Sequence, residues 1–345
     1  MQKLSASRRE KTNQLRLLLP KGSLNTPGRG DTCGMMKKAK YDILGYEPGK
    51  ETEPIRIAND RDIRVMLSRP QSAPTELMLG MADAAIVGSD WVNETQGLKG
   101  RQIIEILDLE YGKAKLVFAS SKKYPNLNAF VAAMAKTEKG ILCFSEYINT
   151  AAISLASCNA YKRIFGSRQP MKEIRGTVLG KNNKVKIVMS DGVTEGYIAK
   201  GANLVMDNSQ SGGTMARYGL EIIEEIGTSS ARLYARAGAL ADSWLKGKID
   251  ELSRQLASVV EGSKKYYVVL NVPSDRIGKV VEYARLSGLF ADEPTIVSGK
   301  KFCQISLLVP KANWPKISQG LVERGARNII PLEPGYVLEG LPNVE

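Results

Sequence analysis

A-N-L-V-M-D-N-S-Q-S-G-G-T-M, residues 202–215, is the stretch on which the fold turns. A short apolar strand ends in a carboxylate, Asp207, and a loop of small hydroxylated residues and glycines then opens a helix. Gly212 and Gly213 let the backbone approach a ligand closely, and Ser211 and Thr214 add hydroxyl donors. The helix start offers unpaired N–H groups to an anion. Asp207 is placed to accept hydrogen bonds from the 2′- and 3′-hydroxyls of a ribose. The order of residue types suits a ribose 5′-phosphate, although an ordinary strand–helix connection also favours Ser, Gly and Asn.

Outward from this loop, strands alternate with helix-length segments. Short apolar strands fall at 15–20, 55–58, 63–68, 84–88, 103–107 and 115–119, then at 141–145, 185–189 and 202–206, with a helix through 147–159. This alternation predicts an α/β architecture with largely parallel sheets. Residues 219–245 read as amphipathic, with A-R-L-Y-A as a strand, and 248–261 read as an amphipathic helix ended by Gly262. From Lys264 the tail runs strand, helix, hairpin, helix, strand, with Pro315 in the first turn of the second helix. That order is the ferredoxin-like βαββαβ unit. The other glycine runs are weaker: G-R-G-D-T-C at 28–33 places Cys33 where a dinucleotide fingerprint needs its third Gly, and no G-K-[ST] follows a P-loop spacing.

Composition narrows the chemistry. A chain of 345 residues with 43% hydrophobic and 25% charged residues suits a folded protein of two or three domains. No apolar run is long enough to span a bilayer. The basic leader, residues 1–14, carries Lys3, Arg8, Arg9 and Lys11 without an apolar segment of signal-peptide length before Pro20. Cys33, Cys143, Cys158 and Cys303 stand singly, so the expected compartment is the reducing cytoplasm. The net charge of +13 suits polyanionic ligands. There is no histidine, which removes Ser-His-Asp and Cys-His catalysis and imidazole-bound metal sites.

Taken in order, several segments resemble the ATP phosphoribosyltransferase family. These are L-L-P-K-G-S-L, M-A-D-A-A-I-V-G-S-D-W-V-N-E (81–94), L-D-L-E-Y-G-K-A-K-L (107–116), F-S-E-Y-I-N-T (144–150) and D-N-S-Q-S-G-G-T with the strand after it. P-T-I-V-S and G-A-R-N-I-I-P-L in the tail resemble the regulatory domain of the family's long form. The sequence departs from the pattern at Ser23 and Lys115, where the family has Arg, at S-A-P (72–74) for D-I-P, and at Asn203 for Asp. Residues 155–184 match poorly.

The resemblance implies a two-lobed core like a periplasmic binding protein. Lobe I would be 15–118 and 219–262, lobe II 119–218 with the phosphate loop, and the regulatory domain 264–340. It further implies transfer of the phosphoribosyl group of phosphoribosyl pyrophosphate to N1 of ATP with Mg²⁺ present, feedback inhibition by histidine, and a homo-oligomer between dimer and hexamer. Ser211, Gly212, Gly213 and Thr214 would hold the 5′-phosphate, Asp207 the ribose hydroxyls, and Lys21 and Lys115 the pyrophosphate. Asp207, Glu146 and Glu195 are the expected catalytic residues. Tyr147, Asp90 and Glu94 are expected at ATP beside Trp91, with helix capping an equal role for Asp90 and core packing the alternative for Tyr147. The competing readings are a phosphoribosyltransferase acting on a free base and a non-catalytic two-lobed sensor. Neither a membrane nor a nucleic acid is an expected partner.

Overall fold

The computed structural model describes residues 13–96, 102–209, 212–289 and 295–338. Most of the basic leader therefore lies outside the described residues, as do Ser211 and the end of the tail. The chain divides into two compact units, one running to Cys33 and from Ile43 to Ile249, the other comprising Gly34–Asp42 and the residues from Asp250 onward.

Among the described residues, the first unit is built on two large sheets. The first has the strand order Ile63–Ser68, Leu15–Pro20, Ala84–Gly88, Ala231–Arg236, Ile103–Asp108. Leu15–Pro20 is apolar almost throughout and buried because it is flanked on both sides, pairing in parallel with Ile63–Ser68 and Ala84–Gly88. Asp83, 1% exposed, accepts from Arg16 Nη2 at 2.8 Å and Arg236 Nη2 at 2.8 Å, joining the strands on either side of Ala84–Gly88.

The second sheet has seven strands in the order Thr177–Leu179, Pro170–Ile174, Asn182–Met189, Ile141–Ser145, Leu204–Ser209, Ala114–Ser120, Glu221–Ser229. Its core gathers Phe118, Phe130, Val131, Cys143, Tyr147, Leu155, Tyr161, Ile187 and Met206. The helix expected over 147–159 is two helices, Ile148–Ser157 and Asn159–Phe165, because Cys158 between them is extended.

Three features differ from the sequence reading. The sheets are mixed: Ala231–Arg236 runs antiparallel to both neighbours in the first sheet, and Ala114–Ser120 does so in the second. The lobe boundaries shift accordingly. Ala114–Ser120 and Glu221–Ser229 hydrogen-bond into the second sheet, with Phe118 and Ile223 in its core, so 114–118 and 219–229 belong to lobe II. The chain crosses between lobes twice, at 109–113 and at Ser230, and the crossings are bonded together: Leu109 N–H to Ala231 O at 3.0 Å, Ala231 N–H to Tyr111 O at 2.9 Å, and Ser230 Oγ–H to Asp108 Oδ2 at 2.9 Å. Finally, Gly262 does not end its helix, which runs Ser243–Lys264. A Cβ at Gly262 would lie 2.5 Å from the backbone N of Tyr336, so the glycine serves close packing within the second unit.

That second unit contains a four-stranded sheet ordered Thr295–Ser298, Phe302–Pro310, Lys265–Pro273, Arg327–Leu332, with every neighbouring pair antiparallel. The helices Ile277–Leu286 and Trp314–Glu323 complete the βαββαβ order, and Val268, Leu270, Val280, Ile305, Leu307, Ile317 and Leu321 form its core. The unit is ferredoxin-like. No helix among the described residues is long and apolar enough to cross a membrane.

Candidate active site in the interlobe cleft

A cavity of about 590 Å³ lies between the two lobes of the first unit. The first lobe contributes Ser23, Arg29, Gly88, Asp90 and Trp91, and the second Glu146, Val193, Glu195, Asp207, Asn208, Thr214 and Arg217. The strand Leu204–Ser209 delivers Asp207 to the wall. The chain then turns at Gly212, whose φ of 73° lies in the left-handed region that glycine adopts without strain, and Gly213 begins the helix Gly213–Arg217. Gly212 N–H donates to Ser209 Oγ at 2.9 Å, while buried Met215 anchors the short helix. Thr214 and Asp207 thus face one cavity, whereas Gly212 and Gly213, between them in sequence, are not on its wall.

Glu146 and Glu195 join Asp207 there. Glu146 follows the strand Ile141–Ser145, and Glu195, 9% exposed, sits in the 3₁₀ turn Thr194–Lys200. Val193, which precedes that turn, has a φ of 47°, a strained conformation for a β-branched residue and one that clusters at functional sites. Burial pushes the Asp207 carboxyl up to about 7, opposed by the Asn208 N–H bond and reinforced by the charges of Glu195 and Glu146. Burial also raises Glu146, against the Gly192 N–H bond and with the charges of Asp191 and Glu195.

The remaining expected residues divide. Asp90 lines the cavity but is 5% exposed, and its oxygens accept from Tyr147 Oη–H at 2.7 Å and Ser229 Oγ–H at 2.9 Å. Tyr147 is buried in the second-lobe core, its ring 4.4 Å from that of Trp91. Burial and the neighbouring Asp90 charge hold its phenol far above the usual range. Glu94 is absent from the cavity wall: it accepts from Asn149 N–H at 2.7 Å, Thr150 N–H at 2.8 Å and Thr150 Oγ1–H at 2.7 Å, closing the first turn of Ile148–Ser157. Burial raises its carboxyl, opposed by those bonds. Its expected ATP contact is thus replaced by a lobe-to-lobe one.

Both lysines expected at pyrophosphate lie elsewhere. Lys21 borders a separate depression of about 410 Å³ with Glu51, Ser68 and Arg69. Lys115 is bonded to Glu225 across neighbouring strands at 2.7 Å. Among the described residues, the positive charges on the cavity wall are Arg29 and Arg217, which the sequence reading missed. Arg217 had a signal, since it lies three residues after Thr214 and shares its helical face. The net charge of +13 is therefore not concentrated in the cleft, whose described wall carries four carboxylates against two guanidinium groups.

Fold and cavity define a two-lobed α/β protein with a polar cleft suited to a small polar ligand. The sequence pattern of ATP phosphoribosyltransferase matches residues 69–258. The ATP phosphoribosyltransferase of Methanosarcina acetivorans is 28% identical over 92% of this chain and 98% of its own. That of Desulforudis audaxviator is 24% identical over 92% and 93%. Among solved structures, the ATP phosphoribosyl transferase (HisG:HisZ) complex from Thermotoga maritima shares the fold, with a TM-score of 0.50 over 71% of this chain and 99% of that one at 19% identity. The chain belongs to the ATP phosphoribosyltransferase family, transferases of the first step of histidine biosynthesis.

Proposed function

We propose that the cleft joins N1 of ATP to C1 of phosphoribosyl pyrophosphate. The N1 lone pair forms the new bond while the C1–O bond breaks and pyrophosphate departs with the electron pair. The observation that carries this reading is the convergence of Asp207, Glu146, Glu195 and Thr214 on one cavity, with the Gly212–Gly213 turn between carboxylate and hydroxyl in sequence. Thr214 and the glycine turn hold the 5′-phosphate, with Arg29 and Arg217 as the nearby positive charges. Asp207 accepts from the ribose hydroxyls, and the three carboxylates stabilise positive charge developing on the ribose. Because the leaving group is already good, holding N1 in line with C1 supplies much of the remaining rate.

Among the described residues, no three acidic or thiol side chains converge closely enough to form a metal cage. Mg²⁺ needs no such cage, since one or two carboxylates with water and phosphate oxygens complete its shell. In this reading Mg²⁺ arrives with the substrate, held by pyrophosphate oxygens and water. The ferredoxin-like unit is the proposed seat of histidine inhibition, in a cytoplasmic homo-oligomer. Its support is the βαββαβ topology following the core and the resemblance of its strands to the long-form regulatory domain.

The test is pyrophosphate release from phosphoribosyl pyrophosphate with ATP, set against adenine, guanine and orotate. Release with ATP alone is the expected result; release with a free base instead overturns the acceptor assignment. Added histidine supplies the only imidazole signals in an NMR sample of this histidine-free chain. The absence of both binding and inhibition would overturn the regulatory reading.

A further inference from the structure

Asn208 follows Asp207 on the strand that builds the cavity wall, is exposed, and lines the cavity. Its side-chain Nδ2 donates to Tyr147 Oη at 2.8 Å, and Tyr147 Oη–H donates to Asp90 Oδ2 at 2.7 Å. The polarity of this chain is set from its buried end. Tyr147 Oη–H donates to Asp90, so the single phenol proton is committed there and the phenol oxygen is left as an acceptor. Burial beside Asp90 keeps that phenol protonated. The Asn208 amide must then turn its NH₂ inward, which leaves Oδ1 with no partner among the described residues.

We infer that Asn208 is a specificity-determining residue whose carbonyl oxygen, oriented by the Asp90–Tyr147 pair, accepts a hydrogen bond from a donor on the substrate. Tyr147 is a positioning residue acting through Asn208. The donor is a ribose hydroxyl or the exocyclic amine of a purine. An ether, a phosphate or a ring nitrogen lone pair would meet a bare oxygen and be disfavoured. The inference rests on the functional reading above, which supplies the two candidate ligands.

Titration calorimetry of the full chain with phosphoribosyl pyrophosphate and with ATP, each with Mg²⁺, separates the possibilities. Asn208→Leu is expected to weaken one of the two ligands by about five- to tenfold and to leave the other within about twofold, the loss of one neutral hydrogen bond. Weakening of phosphoribosyl pyrophosphate alone identifies a ribose hydroxyl. Weakening of ATP alone, with inosine triphosphate binding equally to both proteins, identifies the amine. Tyr147→Phe should weaken the same ligand by about two- to fivefold and add nothing in the Asn208→Leu background, since the amide it orients is gone. A purely structural tyrosine would instead show its full effect in both backgrounds. Unchanged binding of both ligands to Asn208→Leu overturns the inference while leaving the functional reading intact. Wild-type protein that binds neither ligand overturns both.

Discussion

Two sets of acidic residues flank the cleft, one buried and one half-buried to buried on its wall. On the first-lobe helix Ser89–Gln96, both oxygens of Asp90 and of Glu94 accept from second-lobe donors, Tyr147 and Ser229 for the one and Asn149 and Thr150 for the other. On the opposite wall, Glu146, Glu195 and Asp207 face one another across the cavity, and Asp207 is pushed up to about 7. Both sets are at least half withdrawn from water; hydrogen bonding separates them. A buried carboxylate with its oxygens satisfied holds structure together, whereas crowded carboxylates short of donors are poised to meet a positive charge.

Four substitutions test that contrast. The largest effect is expected for Asp207→Asn, a fall in kcat of about 10²- to 10³-fold, or about 3–4 kcal/mol of lost charge stabilisation. The wild-type kcat/KM should rise as pH passes through about 7 and the variant's should not, because only the ionised carboxylate serves the reaction. Stability runs the other way. A carboxyl whose folded pKa is raised from 3.8 to about 7 contributes stability below the lower value and loses it as pH climbs through the upper. The variant should therefore exceed the wild type in Tm at pH 8, with the gap closing towards pH 4.

Thr214→Val should weaken phosphoribosyl pyrophosphate by about 1.5–3 kcal/mol, one hydroxyl donor to a charged phosphate. A KM equal to that of the wild type counts against the phosphate loop. For Glu94→Ala the expected loss is about 2 kcal/mol of unfolding free energy, because two helix-start N–H groups lose their acceptor. Denaturant unfolding measures it, and a larger loss in kcat than Asp207→Asn produces would erase the distinction between the two acidic sets. Lys115→Ala should change stability by less than about 1 kcal/mol, as for other exposed ion pairs, and leave the KM for phosphoribosyl pyrophosphate almost unaltered.

Local chemistry was legible in the sequence and partnership across the chain was not. The strand–Asp207–glycine turn and the βαββαβ tail are contiguous patterns, so residue order alone exposes them. Asp90, Glu94 and Tyr147 were recognisable as motif residues, yet their roles depend on partners more than fifty residues away in the chain. Lys115 reads as a lone cation until Glu225 on the next strand is placed beside it. Glu221–Ser229 read only as amphipathic because its register slips twice against Ala114–Ser120, which breaks the alternation that marks a strand.

The double crossing between lobes also bears on how the protein is made. Residues 114–229 form one uninterrupted insertion whose ends, Ala114 and Ser229, lie paired side by side. The first sheet is different: Ala231–Arg236 sits between Ala84–Gly88 and Ile103–Asp108, and Ile103–Asp108 has no other neighbour in the sheet. On a ribosome the second lobe can close as soon as Ser229 has emerged. The first must wait with two unpaired strand edges until residue 236 follows. The lobe that starts first finishes last, and a pause in translation within the insertion would prolong its exposure to aggregation.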